Sequence, residues 1–227
     1  MIRMHTIRVS ALAGSLLLWT AGGAARAEDG GWYLGANYGQ VISTYRHTDL
    51  NNKVNDAFGD ALTFTSSSLE EKNQAWWASA GYMTSPWLGF EAAYFDLGRL
   101  QYRATGKQTS ILGTSAVTAG LDIKSRGPAA AVLGVLPLTN SWQIDARLGG
   151  YDGKTTTSYA QTVDKRSNSG LESKTSLSLL AGVGTSYAFF GRWALRIDYL
   201  HVNQVKEPVL GRAYNVNLAS AGITFAF

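Results

Sequence analysis

The amino-acid sequence predicts an all-β chain: an eight-stranded antiparallel up-and-down β-barrel that crosses a membrane. Three observations carry this prediction. The last eleven residues, Asn217 to Phe227, end in strict alternation: Ala221, Ile223, Phe225 and Phe227 share one face, and Ser220, Gly222, Thr224 and Ala226 the other. An apolar face toward lipid and a small, polar face toward a packed interior suit a barrel strand. Next, three short turns are each followed by Trp: Thr84-Ser85-Pro86-Trp87, Thr139-Asn140-Ser141-Trp142 and Phe190-Gly191-Arg192-Trp193. Each joins two strand-like runs, and long hydrophilic segments lie between them, an asymmetry of periplasmic turns and outer loops. Finally, the N-terminus reads as an export signal.

That signal has a basic start at Arg3 and Arg8, an apolar run from Val9 to Ala21 and an Ala25-Arg26-Ala27 cleavage site. Residues 1–27 are therefore expected to be removed, leaving a barrel domain over 28–227. The apolar run is too short and interrupted to span a membrane as a helix. Cleavage takes Arg3, Arg8 and Arg26 but no acid, so the formal charge of +4 falls to +1. Nothing in that balance points to nucleic acid. The absence of Cys excludes disulfides, thiolate metal sites and a lipid anchor at the cleavage site.

The strands follow in order. The first, Trp32 to Gln40, places Trp32, Leu34, Ala36 and Tyr38 toward lipid and Tyr33, Gly35, Asn37 and Gly39 inward. The second, about Gln74 to Met83, turns Trp76, Ala78, Ala80 and Tyr82 outward. The third, from Leu88, turns Phe90, Ala92 and Tyr94 outward and Gly89, Glu91 and Ala93 inward. In the fourth, Ala129, Ala131, Leu133 and Val135 fit the lipid face, while Pro128 marks a bulge or a strand start.

The fifth strand begins at Trp142, with Ile144, Ala146 and Leu148 outward and Gln143, Asp145, Arg147 and Gly149 inward. The sixth, Ser176 to Tyr187, sets Leu179, Ala181, Val183, Thr185 and Tyr187 against inward Gly182, Gly184 and Ser186. The seventh places Trp193, Leu195, Ile197 and Tyr199 outward and Ala194, Arg196 and Asp198 inward. The C-terminal strand is the eighth, and an even count puts both termini on the periplasmic side. Period-two counting back from Glu91 would turn Trp87 inward, so Trp87 is expected to belong to the turn. Expected loops, rich in Ser, Thr, Asn and mixed charge, are Thr44 to Asn73, about Ala104 to Val117, Asp152 to Ser173, and Asn203 to Arg212.

Two side-chain sets stand out. Glu91, Asp145, Arg147, Arg196 and Asp198 carry inward charge, which is costly in a narrow lumen unless the groups pair. Their expected role is a network that fills and rigidifies the barrel; the alternative is a constriction selecting ions or small solutes. Eight strands leave an interior just filled by side chains. Trp32, Trp76, Trp142, Trp193 and Phe227, with Tyr82 and Tyr187, read as anchors at the membrane interface.

Several motifs bear a family resemblance. Leu88-Gly89-Phe90-Glu91-Ala92-Ala93-Tyr94, followed by Leu97-Gly98-Arg99, resembles the third strand of the OmpA-like transmembrane domain. Asp145-Ala146-Arg147-Leu148-Gly149-Gly150 is similar to its fifth strand, Leu195-Arg196-Ile197-Asp198-Tyr199 to its seventh, and Gly31 to Ala36 to its first. The resemblance implies an eight-stranded barrel filled by a charged network, with Glu91 and Arg196 as an inward acid–arginine pair and Arg147 and Asp198 among its other charges. The family's gating lysine falls at Val132 and its glutamate partner at Ser186. Both charges are missing, so that salt-bridge exchange is not expected here. The chain ending at strand eight implies no periplasmic peptidoglycan-binding domain.

The function expected from these features is an integral protein of a Gram-negative outer membrane with a structural, surface-exposed role, its loops the interaction surface. A narrow porin-like channel is the alternative, and a lipid A-modifying enzyme the remote one. The mature chain offers only His47 and His201 as bases, and His201-Val202-Asn203 lacks the His-x-Ser pattern of lipid A deacylase barrels. No catalytic, cofactor-binding or metal residues are assigned. Expected partners are outer-membrane lipid and lipopolysaccharide, the barrel-assembly machinery through Phe227, and host or phage ligands at the loops. The expected state is a monomer, with no nucleic-acid partner.

Overall fold

The computed structural model describes residues 30–43, 62–72, 74–110, 113–164, 166–209 and 213–227. The expected export signal and His47 lie outside the described residues. The strands are β1 (Gly31–Ser43), β2 (Leu62–Lys72), β3 (Gln74–Ser85), β4 (Leu88–Ser110), β5 (Gly113–Pro137), β6 (Trp142–Val163), β7 (Arg166–Phe190), β8 (Trp193–Lys206) and β9 (Ala213–Ala226). β2 and β3 both pair antiparallel with β4, one beyond the other. They form one stave between them, so the nine strands of the described residues make eight staves. β1 pairs with β9 and β4 with β5, which closes the sheet and leaves the membrane-crossing part without an edge.

The outward apolar side chains form a band edged by aromatics. Trp32, Tyr82, Trp142, Tyr187, Trp193 and Phe227 stand exposed at the turn end; Tyr38, Trp76, Tyr94 and Tyr199 do so at the other. Tyr38 follows Trp32 and Tyr199 follows Trp193 by six positions, an even offset that keeps both rings of each strand on the outward face. Two of the three turns are closed by hydroxyls. Ser85 Oγ accepts from the Leu88 amide (3.2 Å), and Thr139 Oγ1 accepts from the Trp142 amide (3.0 Å). Trp87 lies in its turn, exposed and outside the strands, as expected.

The expected facing is observed on every stave except the fourth. There Ala129, Ala131, Leu133 and Val135 are buried in the lumen, and Ala130, Val132, Gly134 and Leu136 face out. The run Ala129 to Leu136 is apolar on both faces, so alternation alone carries no sign. Register supplies it: Ala131 lies opposite inward Glu91. Val132, 44% exposed, is consequently a lipid-facing residue and not a lumen position. The inward neighbours Ala131 and Leu133 are apolar as well, so no cation stands there. Pro128 neither starts the strand nor bulges it; it lies outward opposite Tyr94.

The irregularity sits across from it, on β4. The β4–β5 register slips by one residue between Asp96 and Arg99. Gly98 takes φ 78°, and its amide donates to Asp96 Oδ1 at 3.0 Å. Such a bulge reverses facing along the strand. Inward residues on β4 are therefore Glu91, Phe95 and Leu97 before it and Leu100, Tyr102 and Ala104 after it.

The expected loops also change character. Ala104 to Val117 is largely the far end of β4 and β5, and Asp152 to Ser173 is β6 and β7 continued to Val163 and Arg166. β2 occupies the last part of Thr44 to Asn73, and β8 runs to Lys206 within the fourth loop. These segments are rich in Thr and Ser, which suit a solvated two-sided strand. The outer structure is thus a set of β-hairpins rising from the barrel.

Candidate functional site

The five inward charges meet in one layer. Glu91 comes from β4, Asp145 and Arg147 from β6, and Arg196 and Asp198 from β8; all are at most 5% exposed. β7, which lies between β6 and β8, contributes Gly184 at this level. A Cβ there would stand 2.3 Å from Asp198 Oδ1 and 3.1 Å from Asp145 Oδ1. The missing side chain is what lets the two strands' acids and arginines reach one another.

Each arginine contacts all three acids. Arg196 Nη1 lies 3.0 Å from Glu91 Oε2, Nε 3.1 Å from Asp198 Oδ1, and Nη2 3.5 Å from Asp145 Oδ2. Arg147 Nη2 pairs with Asp145 and lies 2.9 Å from Asp198 Oδ1, while its Nε stands 3.9 Å from Glu91 Oε1. Charge-assisted contacts of this kind offset the desolvation of buried ions.

Further groups complete the layer. The Tyr33 hydroxyl donates to Glu91 Oε2 at 2.8 Å. Trp77 is 1% exposed and lies under both guanidiniums, with Arg147 Cζ 5.4 Å and Arg196 Cζ 5.3 Å from the ring. Its indole Nε1 donates to Ser220 Oγ at 3.4 Å. Tyr33 and Trp77 are missing from the five expected residues: both are inward by parity, but neither carries a charge that marks it for this site. Trp77 is the second of two adjacent tryptophans, and its neighbour Trp76 carries the interface signal.

Beyond the charges, away from the turns, the lumen is apolar. Trp77 stacks on Phe95 (5.2 Å between centroids, 16°), and Phe95 meets Tyr151 edge-on at 6.0 Å. Leu180, Leu200, Val202, Val216 and Leu218 fill the same level. A polar cap follows: Ser125 bonds Tyr151 and Thr155, and Thr157 Oγ1 donates to Glu207 Oε1 at 2.6 Å. Glu207, just past the end of β8 in the expected fourth loop, is 1% exposed and is a further buried charge.

On the turn side, a cavity of about 180 Å³ opens among Trp142, Arg192 and Trp193 and reaches Asp145, Ser186 and Arg196. It is a vestibule whose inner wall is the charge layer. Ser186 is buried and inward, as parity requires. Among the described residues, no group of three or more acids and histidines is placed to hold a metal. His201 faces outward, and its Nδ1 lies 2.7 Å from Asn217 Oδ1.

Comparison with known proteins agrees with this architecture. The profile of the OmpA-like transmembrane domain matches residues 27–227. The chain is 28% identical over 222 residues to outer membrane protein A of Serratia marcescens, covering 96% of this chain and 55% of that protein. It is 29% identical over 233 residues to outer membrane protein A of Yersinia pseudotuberculosis, covering 96% and 54%. The chain thus spans about half the length of the curated relatives it matches. Among solved structures, the outer membrane protease OmpT of Escherichia coli superposes with a TM-score of 0.51 at 10% identity, over 92% of this chain and 99% of that one. At that identity the likeness is one of fold.

Proposed function

The chain belongs to the OmpA-like transmembrane domain family and is a multi-pass β-barrel of the bacterial outer membrane; from that premise we propose that it is a structural, surface-exposed envelope protein whose lumen is a plug and whose outer hairpins are the working surface. One observation carries the reading. A buried, ion-paired charge layer is backed by the Trp77–Phe95–Tyr151 stack, so two layers of opposite character lie in series along the lumen. An ion crossing would have to displace buried arginines and then enter apolar packing. What remains accessible is the sheet that rises outside the membrane.

Host or phage ligands are the partners this surface suits. Hairpin shortening tests the role. Rejoining β4 to β5 at the Thr105–Thr118 pair and β6 to β7 at the Ser158–Leu171 pair leaves the barrel intact. Surface adhesion or phage adsorption is expected to fall in such a variant. A folded variant with every surface phenotype unchanged contradicts the proposal. Phe227, exposed beside Phe225 in the turn-side ring, is the residue we assign to the assembly machinery, and residues 1–27 to export.

The vestibule favours a second reading, a narrow channel for ions or small solutes. It already brings solvent-accessible space to Asp145 and Arg196, so only the charge and apolar layers would need to part. An enzymatic role has less support: His201 is engaged with Asn217 on the outer face.

A further inference from the structure

The outer face of β4–β6 carries an unusual arrangement of charge. Tyr94 of the upper aromatic ring lies opposite Pro128, which marks the edge of the lipid band. Two residues further out on β5, Arg126 lies directly opposite Lys154 of β6. Two residues beyond that, Lys124 lies directly opposite Arg99 of β4. All four face away from the lumen. Directly opposed like charges destabilise a strand pair, and here two such pairs are stacked.

Nearby acids compensate only in part. Asp122 is engaged with Arg99 Nε at 3.2 Å and with Gln101 Nε2 at 3.3 Å. Asp96 lies directly opposite Arg126, its Oδ1 accepting the Gly98 amide, and Asp152 faces outward on β6 two residues from Lys154. Among the described residues, no acid lies within 4 Å of the charged atoms of Lys124, Arg126 or Lys154. Arg126 and Lys154 are exposed. Among the described residues, three basic side chains with no acid at ion-pair distance therefore stand just above the hydrocarbon edge, where the polar groups of the surrounding leaflet lie.

We propose that Lys124, Arg126 and Lys154, with Arg99 at their edge, form a binding site for the phosphate groups of outer-leaflet glycolipid headgroups. Lys124 and Lys154 act as point charges, and Arg126 offers a planar fork to phosphate oxygens. The height fixes the source: a headgroup anchored by its acyl chains presents its phosphate at this level, beside Tyr94. The bound anion also removes the cross-strand repulsion and steadies the bases of the two outer hairpins.

The test uses the full barrel purified in detergent, with native mass spectrometry of lipid retention. The probes are diphosphoryl lipid A, the same lipid dephosphorylated, and inorganic phosphate. The Lys124→Gln/Arg126→Gln/Lys154→Gln variant is expected to bind diphosphoryl lipid A about a hundredfold more weakly. A control, Arg166→Gln/Lys174→Gln on β7, is expected to bind like the parent. Equal affinity in the triple variant, equal loss in the control, or equal retention of the dephosphorylated lipid overturns the proposal. So does binding of inorganic phosphate as tight as that of the lipid, which would make the ligand a free anion. If the triple variant does not migrate as a folded barrel, Lys154→Gln alone is expected to lose about fivefold, and no loss overturns the assignment.

Discussion

Arg147 and Arg196 ion-pair with the same three carboxylates, those of Glu91, Asp145 and Asp198. The two arginines come from different strands, and neither owns an acid. Removing one leaves three buried acids to a single guanidinium. Arg196→Ala is expected to destabilise the barrel by about 3–5 kcal/mol, read as a lowered urea midpoint in lipid vesicles. Combining it with Glu91→Gln should cost less than the two single effects summed, because both act on one network. Strict additivity would mean that the charges do not form a unit.

Trp77 supports both guanidiniums and begins the apolar layer. Trp77→Ala removes a ring that is 1% exposed and is expected to cost about 3–5 kcal/mol. Trp77→Phe keeps the packing face and should cost clearly less. Thermal loss of the compact electrophoretic form measures both. Equal effects would place the role of Trp77 in its indole hydrogen bond to Ser220.

Gly98 allows the facing of β4 to reverse where the strand leaves the lipid band. Gly98→Ala puts a Cβ on a residue at φ 78°, with an expected cost of about 1–2 kcal/mol. Hydrogen exchange should rise on the outer part of β4, from Leu100 to Gln108, more than on Leu88 to Phe95. A uniform change along the strand would contradict a local role for the bulge.

Seven of the eight staves are legible from alternation because their outward residues are mostly apolar and Gly, Ser, Asn or charged residues recur on the inward face, even though Trp77, Phe95 and Leu180 also point in. The fourth is not. Ala129 to Leu136 is apolar on both faces, so its sense is set only by pairing with Glu91's strand, a non-local fact. The hairpin extensions were hidden for the opposite reason. Thr155-Thr156-Thr157 and Ser173 to Ser176 are polar on both faces, and such strands look like loops. The five charges of the site were legible as inward positions. Their shared pairing was not, since it depends on Gly182 and Gly184 clearing the space between β6 and β8.

The plug is the central claim, and planar-bilayer conductance tests it most directly. The refolded barrel is recorded beside Arg196→Ala under the same salt. The proposed plug predicts a silent parent, with the charge layer and the Trp77–Phe95–Tyr151 stack lying in series along the lumen. Discrete conductance steps in the parent, altered in size or selectivity by Arg196→Ala, would contradict it and make the charge layer a gate.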